Sequence, residues 1–367
     1  MLYNAMKPVM HPTPTLPCIR RGGKRVLFIA LALLSACTTT PVNREIDTLM
    51  QRYDGPVPGA ALLVLRDGKA LIARGYGYAN LEQREPVTAK SNFRLASVTK
   101  QFTAAAILLL AEDGKLTLDD PLRKWLPSLP AETDAITLRH LLTHTSGLVD
   151  YEDVMDPADT RQVFDADVLR LLEGQHRLEF APGSSWRYSN SGYSLLALVV
   201  ERASGMRFAA FLRARIFMPL RMGGTLARMD DGPAVANRAY GYTFDDGRWT
   251  RTDQSTTSAV LGDGGVYSSI DDLAKWDAAL YDDRLLSDAS RALAFAPTTA
   301  SDDPFVRYGF GWRITGEMLW HSGESIGFRN VIIRWPRQHF TIVLLSNRDD
   351  PEPRETALAV ARAFGVD

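Results

Sequence analysis

A serine and a lysine stand three residues apart, at Ser97 and Lys100, inside Phe93-Arg94-Leu95-Ala96-Ser97-Val98-Thr99-Lys100-Gln101-Phe102-Thr103. On a helix, residues i and i+3 share a face, so the lysine stem would lie beside the serine hydroxyl. A helix N-terminus also favours a developing oxyanion, which a serine nucleophile must generate. A free hydroxyl is a poor nucleophile near neutral pH and needs a neighbouring base. Further along lies Pro182-Gly183-Ser184-Ser185-Trp186-Arg187-Tyr188-Ser189-Asn190-Ser191-Gly192-Tyr193, a loop offering a phenol and an amide before an apolar helix. Later still, His321-Ser322-Gly323 ends a predicted strand, where the glycine admits a close backbone approach. An S-x-x-K match arises by chance roughly once or twice in a chain of this length, so the weight rests on the set and its order. Tyr78-Ala79-Asn80 is also a Tyr-x-Asn match, but it precedes Ser97 and reads as strand.

The elements that must position these residues follow from periodicity. Asn43 to Tyr53 reads as a short amphipathic helix. Gly59 to Arg66 and Lys69 to Tyr78 read as strands joined by Asp67-Gly68, a hairpin signal. Helical spacing marks Ser97 to Asp113, Leu138 to Leu142, Ala166 to Glu173, Ser191 to Ala203 and Ile270 to Tyr281. Gly114 and Gly205 are candidate C-caps, and Ser269 with Asp272 forms a capping pattern. Strands return at Tyr308 to Ile314, Met318 to His321, Phe328 to Trp335 and Phe340 to Ser346, and a helix, Glu355 to Phe364, closes the chain. Two strands at the start and four at the end form a stable sheet only together. The expected fold is therefore α/β: an antiparallel sheet built from both chain ends (44–90 and 304–367), flanked by helices, with an α-rich insertion (91–303). Terminal helices would cover one face, and the helix starting at Ser97 the other.

The 367 residues carry 42 Lys+Arg against 43 Asp+Glu. Residues 1–36 hold five basic residues and no acid, and lead into the apolar run Val26 to Ala36. Eleven residues fall short of the roughly twenty that span a bilayer, so 1–36 reads as an export signal. Leu34-Ser35-Ala36-Cys37 resembles a bacterial lipoprotein signal, in which the cysteine is lipidated, with 37–43 as linker. This implies a lipid anchor on Cys37, a place in the cell envelope facing the periplasm, and the outer rather than the inner membrane. Without 1–36 the count is 37 against 43, a net charge of −6, which argues against a nucleic-acid partner. The two cysteines, Cys18 and Cys37, leave the mature domain no disulfide or cysteine metal site.

In their order, Ser97 and Lys100, Tyr188 and Asn190, then His321-Ser322-Gly323 resemble the serine hydrolases grouped as class C β-lactamases and DD-peptidases, which carry S-x-x-K, Y-x-N and then K-T-G or H-T-G. The resemblance covers nearly all of Gln51 to Asn347. It extends to His140-Leu141-Leu142-Thr143-His144-Thr145-Ser146-Gly147-Leu148, Gly264-Gly265-Val266-Tyr267-Ser268-Ser269 and Tyr308-Gly309-Phe310-Gly311-Trp312. It implies a β-lactamase/transpeptidase-like fold and an acyl-enzyme on Ser97, with Lys100 and Tyr188 acting together as base. Which of the two takes the proton stays open. It further implies that Asn190 orients the Lys100 amine and substrate amide, and that the Ser97 and Glu324 amides form the oxyanion site. Neither metal nor cofactor is required. The substrate would be a small molecule or peptide carrying an ester or amide: a carboxylesterase, D-amino-acid peptidase or weak β-lactamase reaction. A binder of penicillin or cell-wall peptide without turnover is the alternative. His321 stands where β-lactamases commonly hold lysine, and a histidine is mostly neutral near pH 7 unless a neighbour raises its pKa. That favours the peptidases and esterases of the group. His140 and His144, four apart, are read as structural hydrogen-bonding residues rather than a metal pair. Substrate choice is assigned to the loops Asp150 to Asp165 and Met229 to Asp263. Trp186, Tyr240, Tyr242 and Trp312 are read as packing before cleft lining.

Overall fold

Asp67 and Gly68 both take positive φ, 52° and 72°, and turn β1 (Ala60–Arg66) back onto β2 (Lys69–Tyr76). This is the conformation for which the Asp-Gly pair is favoured in two-residue hairpins. The computed structural model describes residues 41–229 and 232–367. The expected leader 1–36, the lipidation site Cys37 and residues 38–40 of the linker lie outside the described residues. Residues 41–43, assigned to the linker, already belong to the helix Pro41–Met50.

The remaining strands of the main sheet come from the other end of the chain: β3 (Thr299–Ala300), β4 (Arg307–Tyr308), β5 (Arg313–Thr315), β6 (Met318–Ser325), β7 (Phe328–Trp335) and β8 (Phe340–Ser346). The order is β3-β4-β5-β6-β7-β8-β1-β2, and every pairing is antiparallel. Ala60 pairs with Ser346 and Arg66 with Phe340, so first and last strands lie side by side as expected. Several strand bounds differ from the sequence reading: β6 runs past His321 to Ser325, and β2 stops at Tyr76 rather than Tyr78. Tyr308 to Ile314 is two strands, because Gly311 at φ 75° interrupts the run. Thr299–Ala300 adds an edge from within the stretch assigned to the insertion.

Successive side chains alternate between faces. Leu62, Val64, Val331, Ile333, Ile342 and Leu344 form one core with Ile46, Met50, Val360 and Ala361 of the terminal helices. Each such buried side chain contributes about 1.5 to 3 kcal/mol. Ala61, Leu63, Leu65, Ile332, Val343 and Leu345 join the larger core of the helical block. The helix lying on β1 and β8 is Ile270–Ala279, rather than the one starting at Ser97. Ser269 caps it, accepting from Asp272 N at 3.3 Å. The buried pair Asp277–Arg334, at 2.6 Å, joins it to β7. The Ser97 turn packs instead on β6 and β7. A short sheet of Phe93–Arg94, Val266–Ser268 and Leu226–Ala227 leads into that turn, with Leu95 N bonded to Val266 O at 2.8 Å.

Candidate active site

Ser97 lies in a 3-10 turn, Ala96–Thr99, that runs into the α-helix Lys100–Glu112. With three residues per turn, positions i and i+3 eclipse, which brings Lys100 over Ser97 more directly than an α-turn would. Lys100 Nζ stands 3.1 Å from Ser97 Oγ. Ala96 enters the turn at φ 49°, a left-handed conformation costing an alanine about 1 to 2 kcal/mol. That strain is held in place by burial on every side.

Lys100 is wholly buried. Besides Ser97, its Nζ meets Asn190 Oδ1 at 2.8 Å and the main-chain O of Asp263 at 3.0 Å. Both are acceptors, and neither is charged. A lysine head carries three donors, and these three oxygens are its three partners. The geometry places the amine where a proton can pass between Nζ and Ser97 Oγ. Gly311 makes room for this helix start, since a Cβ there would stand 2.8 Å from Lys100 O.

Tyr188 lies on the loop before the helix Asn190–Ser204, and Asn190 is that helix's first residue. Ser189 caps that helix through Gly192 N at 3.2 Å, and Asp150 Oδ2 accepts from Asn190 N at 2.5 Å. The Tyr188 ring lies over Lys100, 4.8 Å from Nζ to the ring centre. Its hydroxyl is buried and has no hydrogen-bond partner among the described residues. Of the two candidate bases, Lys100 is thus the one in contact with Ser97 here.

His321 sits on β6 against the site, buried. Its Nδ1 is 2.6 Å from Ser322 O and its Nε2 2.9 Å from Tyr308 Oη. A carbonyl can only accept, so Nδ1 donates and Nε2 accepts the tyrosine proton. Burial first, then the Arg313 and Lys100 charges, push the imidazole down to about 3. His321 is therefore neutral, and both its nitrogens are engaged within the protein. It offers a substrate neither a cation nor a spare donor, and in that respect it departs from a substrate-binding assignment. Gly323 has the role its type suggested: a Cβ would stand 2.0 Å from Leu95 O and 3.2 Å from Val98 N. Only glycine lets β6 close on the Ser97 turn. Ser322 is partly buried, while Glu324 is exposed and lines one small polar cleft with Ser97, Asn190 and Ser325.

Other residues of that cleft carried no signal strong enough to be singled out from sequence. Tyr151, Glu152, Thr257 and Asp263 line it, coming from the two loops expected to govern substrate choice. Burial raises the Asp263 carboxyl to about 7, against the opposing charge of Lys100. The readable sign was an acid set among glycines, Gly262-Asp263-Gly264-Gly265, one residue before a stretch already marked. Arg94 also lines the cleft, buried, with one nitrogen on Ser258 O at 2.8 Å. His140 and His144 each accept a backbone N–H at Nδ1, from Thr137 and Ser189, as structural residues do. Two roomier hollows, of about 500 and 550 Å³, share Phe164 and are lined by none of Ser97, Lys100, Tyr188 or His321. Ser97 and Asn190 line the smaller, polar cleft instead.

Comparison with known proteins follows the same outline. A family model described as Beta-lactamase matches residues 42–366. Penicillin-binding protein 4* of Bacillus subtilis (strain 168) is 35% identical over 323 residues, which cover 82% of this chain and 70% of that protein. A D-aminopeptidase of Gluconobacter oxydans (strain 621H) is 30% identical over 334 residues, 89% of this chain. The chain spans 62% of that enzyme's length, less than two thirds. Among solved structures, the D-amino acid amidase of Ochrobactrum anthropi SV3 superposes with a TM-score of 0.77 at 25% identity, covering 89% of this chain and 99% of that one.

Proposed function

The chain belongs to the beta-lactamase family, as a serine hydrolase, and from that premise we propose that Ser97 is acylated by an amide or ester of a D-amino acid and released by water. The observation that carries this is the set of contacts at Lys100 Nζ, which stands 3.1 Å from Ser97 Oγ and is otherwise held by two uncharged oxygens, Asn190 Oδ1 and Asp263 O. Lys100 receives the hydroxyl proton as the Oγ–carbonyl bond forms. The leaving amine or alcohol departs with a proton from the Lys100–Tyr188 pair, and a water then attacks the acyl-enzyme with the same base. Positioned proton transfer of this kind contributes on the order of 10² to 10⁴ in rate. The Ser97 and Glu324 amides receive the oxyanion, and loss of such a donor costs about 3 to 4 kcal/mol of transition-state stabilisation. Asn190 orients the amine.

The substrate class rests on His321 and on the relatives. A neutral, internally bonded histidine supplies no cation for the carboxylate of a β-lactam, and similar proteins include a D-aminopeptidase and a D-amino acid amidase. We further propose that Cys37 carries a lipid that tethers the domain to the periplasmic side of the outer membrane, on the strength of the leader sequence. The test of the chemistry is a hydrolysis panel of short-acyl p-nitrophenyl esters, D-amino acid amides, D-Ala-D-Ala peptides and a chromogenic cephalosporin, with peptide mapping after fluorophosphonate. We expect turnover of D-amino acid amides above the cephalosporin and one adduct, on Ser97. Activity unchanged in Ser97→Ala would sink the proposal, and a permanent adduct without turnover on any substrate would turn it into a binding protein.

A further inference from the structure

The Tyr188 hydroxyl makes no hydrogen bond among the described residues, so the position of its ring is set by the backbone on either side and by what it packs against. His144 supplies both backbone partners and one of the ring's neighbours. His144 O accepts from Arg187 N at 3.0 Å, and His144 Nδ1 accepts from Ser189 N at 3.1 Å, which brackets Tyr188 from both flanks. The imidazole itself lies 4.4 Å from the Tyr188 ring, centre to centre, inclined at 38°. Its other faces are closed by Tyr193 at 5.2 Å and Tyr308 at 4.6 Å, and His144 is 1% exposed.

We infer that His144 is a positioning residue for catalysis, acting through Tyr188: its carbonyl and ring nitrogen clamp the loop so that the phenol stays over Lys100. The inference rests on the reading of Tyr188 as part of the base. An amide N–H can only donate, so Nδ1 is unprotonated and the ring is neutral with its proton on Nε2. That Nε2 is buried without a partner. An unpaired buried donor is destabilising, so an apolar ring would serve stability better. What the imidazole adds is an acceptor at one defined place. The backbone is particular too: His144 takes φ 59°, a left-handed conformation in which His and Asn are enriched.

The test is a double-mutant cycle on the full chain, read as the second-order rate of fluorophosphonate labelling at Ser97 and as kcat and KM on a p-nitrophenyl ester. Asn tolerates the same φ and can place Oδ1 where Nδ1 stands. His144→Ala should lower labelling and kcat about 30-fold with KM within about threefold, and His144→Asn should recover to within about fivefold of the parent. In a Tyr188→Phe background, His144→Ala should cost less than about threefold more, because residues acting as a unit are not additive. The same loss in both backgrounds overturns the inference, as does a loss in His144→Asn equal to that of the alanine variant. Should the alanine variant not fold, His144→Gln, whose acceptor stands one bond too far out, takes its place in the cycle. A Tyr188→Phe rate equal to the parent overturns the reading of Tyr188, and the clamp with it; a lowered rate with additive losses overturns the clamp alone.

Discussion

Two buried cations sit in this molecule in opposite company. Arg334 on β7 is wholly enclosed and donates to the Asp277 carboxylate at 2.6 Å, a carboxylate that also accepts from Thr341 at 2.8 Å. Lys100 is equally enclosed, yet its amine bonds one hydroxyl and two carbonyl oxygens and no carboxylate. The Arg334–Asp277 pair ties a helix to β7 and serves architecture. The Lys100 amine has no carboxylate partner, and its contact with the Ser97 hydroxyl places it for proton transfer. Burial alone does not mark a catalytic residue; the charge of the atoms it touches does.

Breaking either side of the comparison gives opposite results. The largest effect is expected from Lys100→Met: kcat/KM should fall by about 10² to 10⁴. Urea unfolding should show equal or higher stability, since a buried amine without an ionic partner is replaced by an apolar chain of similar size. A clear loss of stability would mean that Lys100 is structural. Next comes Asp277→Ala, which leaves Arg334 buried and unpaired and should cost about 3 to 5 kcal/mol of stability in the same measurement. Here kcat/KM of the folded fraction should stay within about threefold, and a selective loss of activity would erase the distinction.

A third test sharpens it through pH. The Asp263 carboxyl rises from 3.8 to about 7, first by burial. The folded protein thus keeps a proton between those values that the unfolded chain has lost. By linkage, its contribution to stability is full below about pH 4 and is lost as pH rises through about 7, an effect of a few kcal/mol at most. His321, held at about 3 in the fold, works in the opposite direction, losing stability as pH falls. The contrast between parent and Asp263→Asn isolates the first effect: the variant's urea midpoint should decline less between pH 4 and 7, and parallel curves would refute it. The smallest expected change is at the surface. Arg215 meets Asp113 at 2.6 Å with both side chains about a third exposed, and Arg215→Ala should shift stability by about 0.5 kcal/mol or less. A loss approaching that of Asp277→Ala would show that burial does not govern these pairs.

Much of this could be read in advance where the cause is local. The Asp67-Gly68 turn, the Leu138–Leu142 helix and the strands Phe328–Trp335 and Phe340–Ser346 lie where periodicity and turn chemistry placed them. The strand expected from Tyr308 to Ile314 failed because two glycines mean different things in different surroundings. A Cβ at Gly309 would stand 2.2 Å from Ala294 O, and Gly311 turns the chain against Lys100. Neither contact is visible from neighbours in sequence. Asp263 escaped notice for the same reason, since what it gives Lys100 is a main-chain oxygen.

Spacing by itself determined that Ser97 and Lys100 share a face, because three residues of a helical turn place them there whatever the rest of the chain does. The order of the later stretches determined the family, and with it the loop of Tyr188 and Asn190. Only the tertiary structure decided what those groups can do. The acceptors that occupy the Lys100 amine come from 90 and 163 residues away, and the burial that makes His321 neutral comes from the packed interior around β6. Desolvation and the supply of hydrogen-bond partners belong to the assembled core, and no run of residues carries them alone.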